Sequence, residues 1–289
     1  MLKNITFNVD VGEWIAIVGA NGSGKSTLAK VLAGLVGVSR GSITSDLPAA
    51  VLPSHAAGVD KDAAPNPANF TPLVFQNPEA QILGDRVEED VLFGLDCLGI
   101  PRQDASNRDR VQAVLAQVGL ADHRQDLVMH LSGGQKQRLC IADALALDQA
   151  GIIFDEATAM LDLASREEIL RVVQQLHHAG RTIVWLTQSL EELAYASRVI
   201  AITDGAVSYD GNVTDFLYGS PADMASGSAC QESPATPETV SSPVSLAPCE
   251  RLGFAPPYIV SVVRELRKQG ISLSSLPLSA SELVEVLSS

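Results

Sequence analysis

The sequence has few cysteines and few basic residues, and both shortages limit what the chain can do. Its four cysteines are widely spaced and form no C-x-x-C pair, so neither a zinc site nor a disulfide framework is predicted, and free thiols in a reducing cytosol fit the pattern. They are Cys97, Cys140, Cys230 and Cys249. Lysine and arginine number 20 against 34 acidic residues, which gives a net charge of -14. That charge argues against broad contact with phosphate backbones, so no nucleic acid is expected as a partner.

The sequence also lacks a hydrophobic run long enough to span a bilayer, and residues 1–4 do not provide the apolar core of a signal peptide. Any link to a membrane is therefore expected to come through a partner protein. The 289 residues, of which 46% are hydrophobic and 19% charged, are enough to bury one large core and a small additional domain. This composition is typical of a folded globular protein.

A glycine-rich segment at residues 19–27 follows an apolar run at residues 14–18 and precedes a helical pattern at residues 28–32. It matches the pattern G-x-x-x-x-G-K-[ST], in which glycines let backbone N–H groups wrap closely around a polyphosphate. Lys25 supplies a charge to the β- and γ-phosphates, Ser26 supplies a hydroxyl to Mg²⁺, and the helix start adds a favourable dipole. The predicted nucleotide-binding residues are Gly19, Asn21, Gly22, Ser23, Gly24, Lys25, Ser26 and Thr27. The segment thus predicts a strand, a phosphate loop and a helix that bind ATP or GTP.

Shorter patterns on either side of this loop indicate further elements. Alternating apolar residues at positions 5, 7 and 9 predict a half-buried strand, and Trp14 is expected in the core. Residues 46–69, rich in alanine and proline, predict a surface loop or an insertion. The apolar residues 73–75 predict a short strand that ends at Gln76. In an open parallel sheet this end is where ligands bind.

Residues 79–146 have a mostly helical pattern with a break at residues 99–101. Within them, a Ser-Gly-Gly turn opens a helical run and exposes N–H donors and a hydroxyl that can hold an anion. The residues of this predicted second anion site are Ser132, Gly133, Gly134 and Gln135. The acidic residues 88–90 either meet a partner protein or form a solvated face.

An apolar strand pattern at residues 151–154 ends in two carboxylates. Asp155 is placed to hold Mg²⁺, and Glu156 is placed to polarise the water that attacks the γ-phosphate. The alternative is an ordinary acidic pair at the start of a helix, but its position after a phosphate loop and an apolar strand favours the catalytic interpretation. A helical pattern at residues 165–178 and an apolar strand at residues 181–187 continue a parallel βαβ arrangement.

Taken in order, these motifs resemble the Walker A, Q-loop, signature, Walker B and D-loop motifs of ABC-transporter ATPases. They lie at residues 19–27, 76, 131–138, 155–156 and 159–162. More narrowly, the chain is similar to the ATPase subunits of energy-coupling factor transporters. That similarity lies in residues 75–81, 87–95 and 155–158, and in residues 249–257 and 269–271, which are similar to the small helical extension of those subunits.

The resemblance implies an α/β fold of the P-loop NTPase type, with a RecA-like parallel sheet core and an ABC helical subdomain. We predict an ABC ATPase domain at residues 1–217, with the helical subdomain at about 77–146. A flexible Ser-, Pro- and Ala-rich linker is predicted at residues 218–248, and a small helical C-terminal domain at residues 249–289. Two short helices cannot form a core alone, so this domain is expected to pack on the ATPase or on its dimer mate.

The resemblance also implies an ATP hydrolase coupled to transmembrane transport. In that family two ATPases, identical or different, form a dimer on the cytoplasmic face of the cell membrane and drive a transmembrane coupling protein. This protein works with a separate substrate-binding membrane protein to import vitamins or transition-metal ions. The implied cofactors are ATP and Mg²⁺. The implied metal residues are Ser26, Gln76 and Asp155, and the implied catalytic residues are Glu156, Gln76 and Gln188.

The signature turn and the phosphate loop are expected to act in different subunits. A Ser-Gly-Gly turn on a separate helical lobe cannot easily fold back onto Lys25 of its own chain. In a head-to-tail dimer, Ser132 and Gly134 of one subunit would cap the ATP that the other subunit holds.

Two departures from the family pattern affect the predicted site. Where the family has a histidine that contacts the γ-phosphate, this chain has Gln188, which donates a hydrogen bond but cannot become cationic. The family also has an earlier strand with an aromatic residue that stacks on adenine, so either the start is truncated or adenine is held loosely. The first departure leaves open a non-hydrolysing, regulatory partner subunit as an alternative. A soluble ABC ATPase acting on DNA or ribosomes is disfavoured by the acidity and the C-terminal extension.

Overall fold

The structure, a computed structural model, describes residues 2–44, 71–97, 105–219 and 246–288. The predicted surface loop at residues 46–69, the helix break at residues 99–101 and most of the predicted linker lie outside these ranges. Two ends of the predicted linker are described: Tyr218 is the last residue of one helix, and Pro248 is the first residue of the next.

A six-stranded sheet lies at the centre of the described chain. Its strands are β1 (Trp14–Val18), β2 (Leu73–Val74), β3 (Gly151–Asp155), β4 (Thr182–Thr187), β5 (Arg198–Thr203) and β6 (Ala206–Asn212). Their order is β2-β3-β4-β1-β5-β6, with β6 antiparallel to β5 and the other neighbouring pairs parallel. The predicted α/β fold with a parallel sheet is confirmed.

Most of the described α-helices follow predicted helical patterns, but the helix at Val213–Tyr218 was not predicted. They are α1 (Lys25–Leu32), α2 (Val87–Cys97), α3 (Ala105–Gln117), α4 (Gly133–Ala146), α5 (Leu163–His178), α6 (Val213–Tyr218), α7 (Pro248–Arg251), α8 (Tyr258–Lys268) and α9 (Ala280–Ser288). Short 3₁₀ helices lie at Pro78–Ala80, Ala121–His123, Val128–His130 and Leu190–Tyr195. Among the described residues, none of the helices combines the length and the apolar character needed to cross a membrane.

Strand β1 has apolar layers on both faces, as expected for a parallel strand covered by helices on each side. Trp14, Ala16 and Val18 belong to one buried cluster, whereas Ile15 and Ile17 belong to a second cluster that includes residues of α1. Trp14 is 1% exposed, which confirms that it is a core residue. The continuous apolar sequence therefore holds the end of β1, and the loop that follows it, in a fixed position.

Helices α2, α3 and α4 pack together and form the helical lobe between β2 and β3. The three acidic residues at the start of α2 do not form one exposed acidic face, because two of them make hydrogen bonds to nearby residues. Asp90 is buried and accepts hydrogen bonds from the N–H groups of Leu83 (2.8 Å) and Gly84 (2.6 Å). A hydrogen bond from Arg124 lowers the pKa of Glu88. Glu89 is the exposed member of the three, so the question of a partner contact concerns that residue alone.

The predicted strand at residues 5–9 is wrong as a hydrogen-bonded strand. Side chains 5, 7 and 9 do pack, half-buried, against the cluster around Ile15 and Ile17, as the alternation predicts. However, the backbone of Asn4 is left-handed, with φ at 48°, and bends the chain just before this segment. Alternating apolar side chains indicate that one face of a segment is buried. A β-strand also requires a neighbouring strand to form hydrogen bonds with, and the alternation does not predict that neighbour.

The C-terminal helices pack on the ATPase domain of the same chain. Cys249, Ile259 and Val263 belong to the same buried cluster as Trp14. The Tyr218 hydroxyl donates a 2.5 Å hydrogen bond to the carbonyl of Pro277, and burial raises the pKa of Tyr218 to about 12. The N–H group of Tyr258, the first residue of α8, donates to Glu191 Oε1 at 3.2 Å. These helices thus pack within the same chain, and a contact with the dimer mate stays a prediction.

Candidate active site

The loop between β1 and α1 needs glycine at several positions for steric reasons. Gly22 and Gly24 have left-handed φ values of 80° and 107°, which residues with a Cβ rarely adopt. A Cβ on Gly19 would lie 2.4 Å from Ser23 Oγ and 2.7 Å from the carbonyl oxygen of Ile202. The loop is therefore a narrow backbone turn that ends on the first residues of α1, which is the arrangement that a polyphosphate fits.

Lys25, the first residue of α1, is 4% exposed. Its Nζ donates to the carbonyl of Gly19 at 2.7 Å and to that of Ala20 at 3.3 Å, and it lies 3.3 Å from Glu156 Oε1. The ammonium group is thus held at the mouth of the loop by the loop's own carbonyls. A buried cation in this position offers a strong charge to an anion bound there.

Ser26 and Asp155 place two oxygen groups side by side below the loop. The Ser26 hydroxyl donates to Asp155 Oδ1 at 3.1 Å. Burial raises the pKa of Asp155, and the hydrogen bond from Ser26 opposes this rise. A hydroxyl and a carboxylate are the hard oxygen ligands that Mg²⁺ prefers, so these residues fit the predicted ion.

Glu156 and Gln188 meet at the ends of β3 and β4. Gln188 Nε2 donates to Glu156 Oε1 at 2.6 Å and to Asn21 Oδ1 at 2.8 Å. Glu156 has a left-handed φ of 51°, a conformation that costs a non-glycine residue on the order of 1–3 kcal/mol. The bent backbone turns the chain immediately after β3. As a result, side chains from three strand-end loops, those after β1, β3 and β4, converge at one edge of the sheet.

A cavity of about 400 Å³ opens beside Glu156. Gln76, at the end of β2, lies on its wall together with Glu156 and Gln188. The three residues predicted as catalytic from the sequence therefore share one space. The remaining polar wall is formed by side chains that the sequence did not single out, among them Thr158, Arg166, Thr187 and Glu192.

Glu192 is the least expected of these residues because it is a carboxylate with only 2% exposure. It accepts hydrogen bonds from Thr158, Thr187 and Trp185. In the sequence it is part of a Glu-Glu pair in a short helical segment, a pattern that usually indicates a solvated surface. The sequence pattern does not predict its burial, because Thr158 is 34 residues away and the nearer donors, Trp185 and Thr187, meet it only in the folded chain.

The Ser-Gly-Gly turn at the start of α4 does not line this cavity. Ser132 accepts from the N–H of Gln135 at 3.2 Å, and Gln135 Oε1 accepts from the N–H of Ser132 at 2.8 Å, which together form a capping box. A Cβ on Gly134 would lie 2.6 Å from Ser165 Oγ, so that position requires glycine. The turn is therefore a capped helix start whose residues do not line the cavity beside Glu156.

A phosphate loop on the central strand, combined with a helical lobe inserted between β2 and β3, defines the class of ATP-binding cassette ATPases. A family model described as ABC transporter matches residues 2–159. The chain is 36% identical over 288 residues to the energy-coupling factor transporter ATP-binding protein EcfA1 of Halalkalibacterium halodurans, covering 99% of this chain and 90% of that protein. It is 38% identical over 287 residues to EcfA1 of Geobacillus kaustophilus, again covering 99% and 90%.

The chain belongs to the ABC transporter family and, within it, to the ATP-binding proteins of energy-coupling factor transporters. It is the subunit that binds and hydrolyses ATP to power transport, and these relatives do not favour the non-hydrolysing alternative. Among solved structures it resembles cbiO1 of Clostridium perfringens, part of the ABC transporter complex cbiONQ. The TM-score is 0.64 and the identity 29%, over 78% of this chain and 86% of cbiO1.

A second structural neighbour is the dimeric cassette MJ0796 in a post-hydrolysis state with ADP and phosphate. The TM-score is 0.60 and the identity 26%, over 73% of this chain and 90% of that one. Dimeric cassettes of this kind, together with the family, imply that the chain acts in an ATPase dimer with membrane partners.

Proposed function

We propose that residues 19–27 bind the phosphates of ATP and that Glu156 polarises the water that attacks the γ-phosphate. The observation that carries this proposal is the convergence of Lys25, Glu156 and Gln188 at one edge of the sheet. Lys25 offsets the charge of the phosphates in the ground state, whereas the carboxylate of Glu156 is needed when water attacks. The remaining residues assigned to phosphate binding are Gly19, Asn21, Gly22, Ser23, Gly24, Ser26 and Thr27.

Mg²⁺ is assigned to Ser26 and Asp155, with Gln76 as a third oxygen ligand from the cavity wall. When bound, the ion neutralises charge on the phosphate oxygens. Gln76 also lies at the junction between the sheet and the helical lobe. This position suits a residue that transmits changes at the nucleotide to the lobe.

The residues Ser132, Gly133, Gly134 and Gln135 are assigned to the ATP held by a second ATPase subunit, identical or different. Two observations support this assignment: the turn does not line the cavity beside Glu156 of its own chain, and its N–H groups open a helix of 14 residues. ATP then joins the two subunits, and hydrolysis weakens that contact and opens the dimer.

We further assign the chain to the cytoplasmic face of the cell membrane, bound to a transmembrane coupling protein. That protein acts with a substrate-binding membrane protein to import a vitamin or a transition-metal ion.

Purifying the tagged chain together with the proteins that bind it tests this assignment. We expect small polytopic membrane proteins to co-purify, and the control is the untagged chain. Co-purification of nucleic acid without membrane proteins would contradict it.

Gln188 is expected to slow hydrolysis in the site built on this chain. Its amide makes neutral hydrogen bonds to Glu156 and Asn21, whereas a histidine could make a charge-assisted contact to the γ-phosphate. Loss of one such transition-state contact typically costs about 10²–10³ in rate, so Gln188→His should raise turnover at this site by up to about 10²-fold. Single-site turnover is measured with the second site of the dimer inactivated.

The neighbouring change Ser189→Ala serves as the control, because it removes a side chain beside Gln188 without adding an imidazole. Unchanged single-site turnover in Gln188→His would show that glutamine suffices. The expectation that Gln188 slows hydrolysis in this site would then be rejected.

A further inference from the structure

Glu192 brings a buried negative charge close to the candidate active site without belonging to the nucleotide-binding residues. It lies in the 3₁₀ helix Leu190–Tyr195, and its carboxylate accepts hydrogen bonds on both oxygens. Oε1 accepts from the Thr158 hydroxyl at 2.6 Å. Oε2 accepts from the Thr187 hydroxyl at 2.6 Å and from Trp185 Nε1 at 2.9 Å. Burying a carboxylate is costly unless it is fully hydrogen-bonded, and here three donors meet it.

The two threonines that bind Glu192 stand directly beside the proposed catalytic side chains. Thr158 is two residues after Glu156, on the loop that follows β3, and Thr187 immediately precedes Gln188 at the end of β4. The two loops are neighbours at the sheet edge because β3 pairs with β4. Glu192 therefore joins, through one side chain, the loop that carries Glu156 to the loop that carries Gln188.

A third element reaches the same carboxylate. Arg166, in the first turn of α5, has its Nε 3.8 Å from Glu192 Oε1. This Nε is a buried atom without a hydrogen-bond partner, so the attraction between the two side chains is that of charges in a poorly solvated place. Arg166 and Glu192 both line the cavity beside Glu156. Helix α5 is thereby tied to the same point.

We propose that Glu192 is a positioning residue, which sets the distance between Glu156 and Gln188 by holding Thr158, Thr187 and Arg166 on one carboxylate. Glu192 does not touch the nucleotide loop, so it acts on the rate of hydrolysis and not on ATP affinity. This inference rests on the proposed role of Glu156.

Glu192→Gln is the sharpest test because it removes the charge and keeps the shape. With its amide oxygen in the place of Oε2, glutamine still accepts from Trp185 and Thr187. Its NH₂ group then faces Thr158, whose hydroxyl can turn to accept, and Arg166, which loses its ion-pair partner. The variant therefore loses the ion pair with Arg166 on α5 and reverses the direction of the hydrogen bond with Thr158. The hydrogen bonds from Trp185 and Thr187 remain.

In the intact ATPase assembly, we expect Glu192→Gln to lower kcat by at least about tenfold, since a misplacement of ~1 Å can cost about 10²-fold. The KM for ATP should stay within about twofold of wild type, because Lys25 and its loop are untouched. A normal kcat in a folded variant, or a loss confined to KM, would overturn the proposal.

The matched control is Glu191→Gln, which removes the neighbouring carboxylate on the same 3₁₀ helix. Glu191 is exposed and accepts a hydrogen bond from the backbone N–H of Tyr258. The kcat of Glu191→Gln should therefore stay within about twofold of wild type. An equal fall of kcat in both variants would mean that the loss of any negative charge on this 3₁₀ helix lowers kcat. It would overturn the assignment of a positioning role to Glu192.

Thr158→Val completes a double-mutant cycle. It should lower kcat in the wild-type background and have little further effect with Glu192→Gln, because both changes break the same link. If the effects of Thr158→Val and Glu192→Gln on kcat were independent and multiplied, the proposed link between Thr158 and Glu192 would be contradicted. If Glu192→Gln does not fold, normal kcat in both Thr158→Val and Thr187→Val overturns the proposal. Normal turnover in Glu156→Gln would instead defeat the proposed catalytic role, whatever Glu192 does.

Discussion

Replacing Glu156 by glutamine should lower ATP turnover by about 10²–10⁴-fold while ATP binding is retained. The substitution keeps the volume of the side chain and an oxygen that Gln188 can bind, but it removes the carboxylate that polarises water. The unhydrolysed nucleotide should keep joining the two subunits. We therefore expect Glu156→Gln to accumulate as a closed, ATP-bound dimer.

Turnover is measured by phosphate release from a dimer in which the site built on this chain is the only active one, and closure by size-exclusion chromatography in ATP. The matched control is Glu265→Gln on α8, which removes an exposed carboxylate that pairs with Lys268 and does not line the cavity beside Glu156. Normal turnover in Glu156→Gln would refute the catalytic assignment. Loss of ATP binding would instead indicate a metal-binding or structural role.

Replacing Lys25 by alanine should abolish ATP binding in practice, with a loss of affinity of at least about 30-fold. The ammonium group is almost buried at the mouth of the loop, and truncating one partner of a buried charge pair costs about 2–5 kcal/mol. The change also leaves the phosphates beside Glu156 without a compensating charge. Unlike Glu156→Gln, it acts in the ground state, so no closed dimer should form in ATP.

Binding is measured by calorimetry with ATP and Mg²⁺. Lys30→Ala is the matched control, because Lys30 lies on the same helix α1 but is exposed. A wild-type affinity in Lys25→Ala would remove the phosphate loop from the proposed site. An equal loss in Lys30→Ala would show that the general positive charge of helix α1, and not the position of Lys25, determines affinity.

Much of the sheet and of the site followed from local sequence. The apolar runs of β1, β3 and β4 predicted buried parallel strands, and the polar residues at their ends fell at one edge, as parallel topology requires. The strand predicted at residues 73–75 is also present as β2, although it ends one residue earlier, at Val74. Patterns of this kind depend on neighbouring residues, so a single sequence carries them.

The errors concern contacts between distant residues. Residues 5–9 show the alternation of a strand, but a strand exists only if another one pairs with it. Glu192 shows the sequence context of a surface carboxylate, but one of its three donors, Thr158, is 34 residues away in the sequence. Nothing in the local pattern encodes either outcome.

The left-handed backbone at Glu156 affects which residues this position tolerates. Glycine and asparagine adopt such a φ with less strain than glutamate does, so folding alone would favour them at position 156. A population of variants selected only for a stable fold would drift away from glutamate there, whereas one selected for growth on the imported solute would return to it. At position 156, selection for a stable fold and selection for ATP hydrolysis therefore favour different residues.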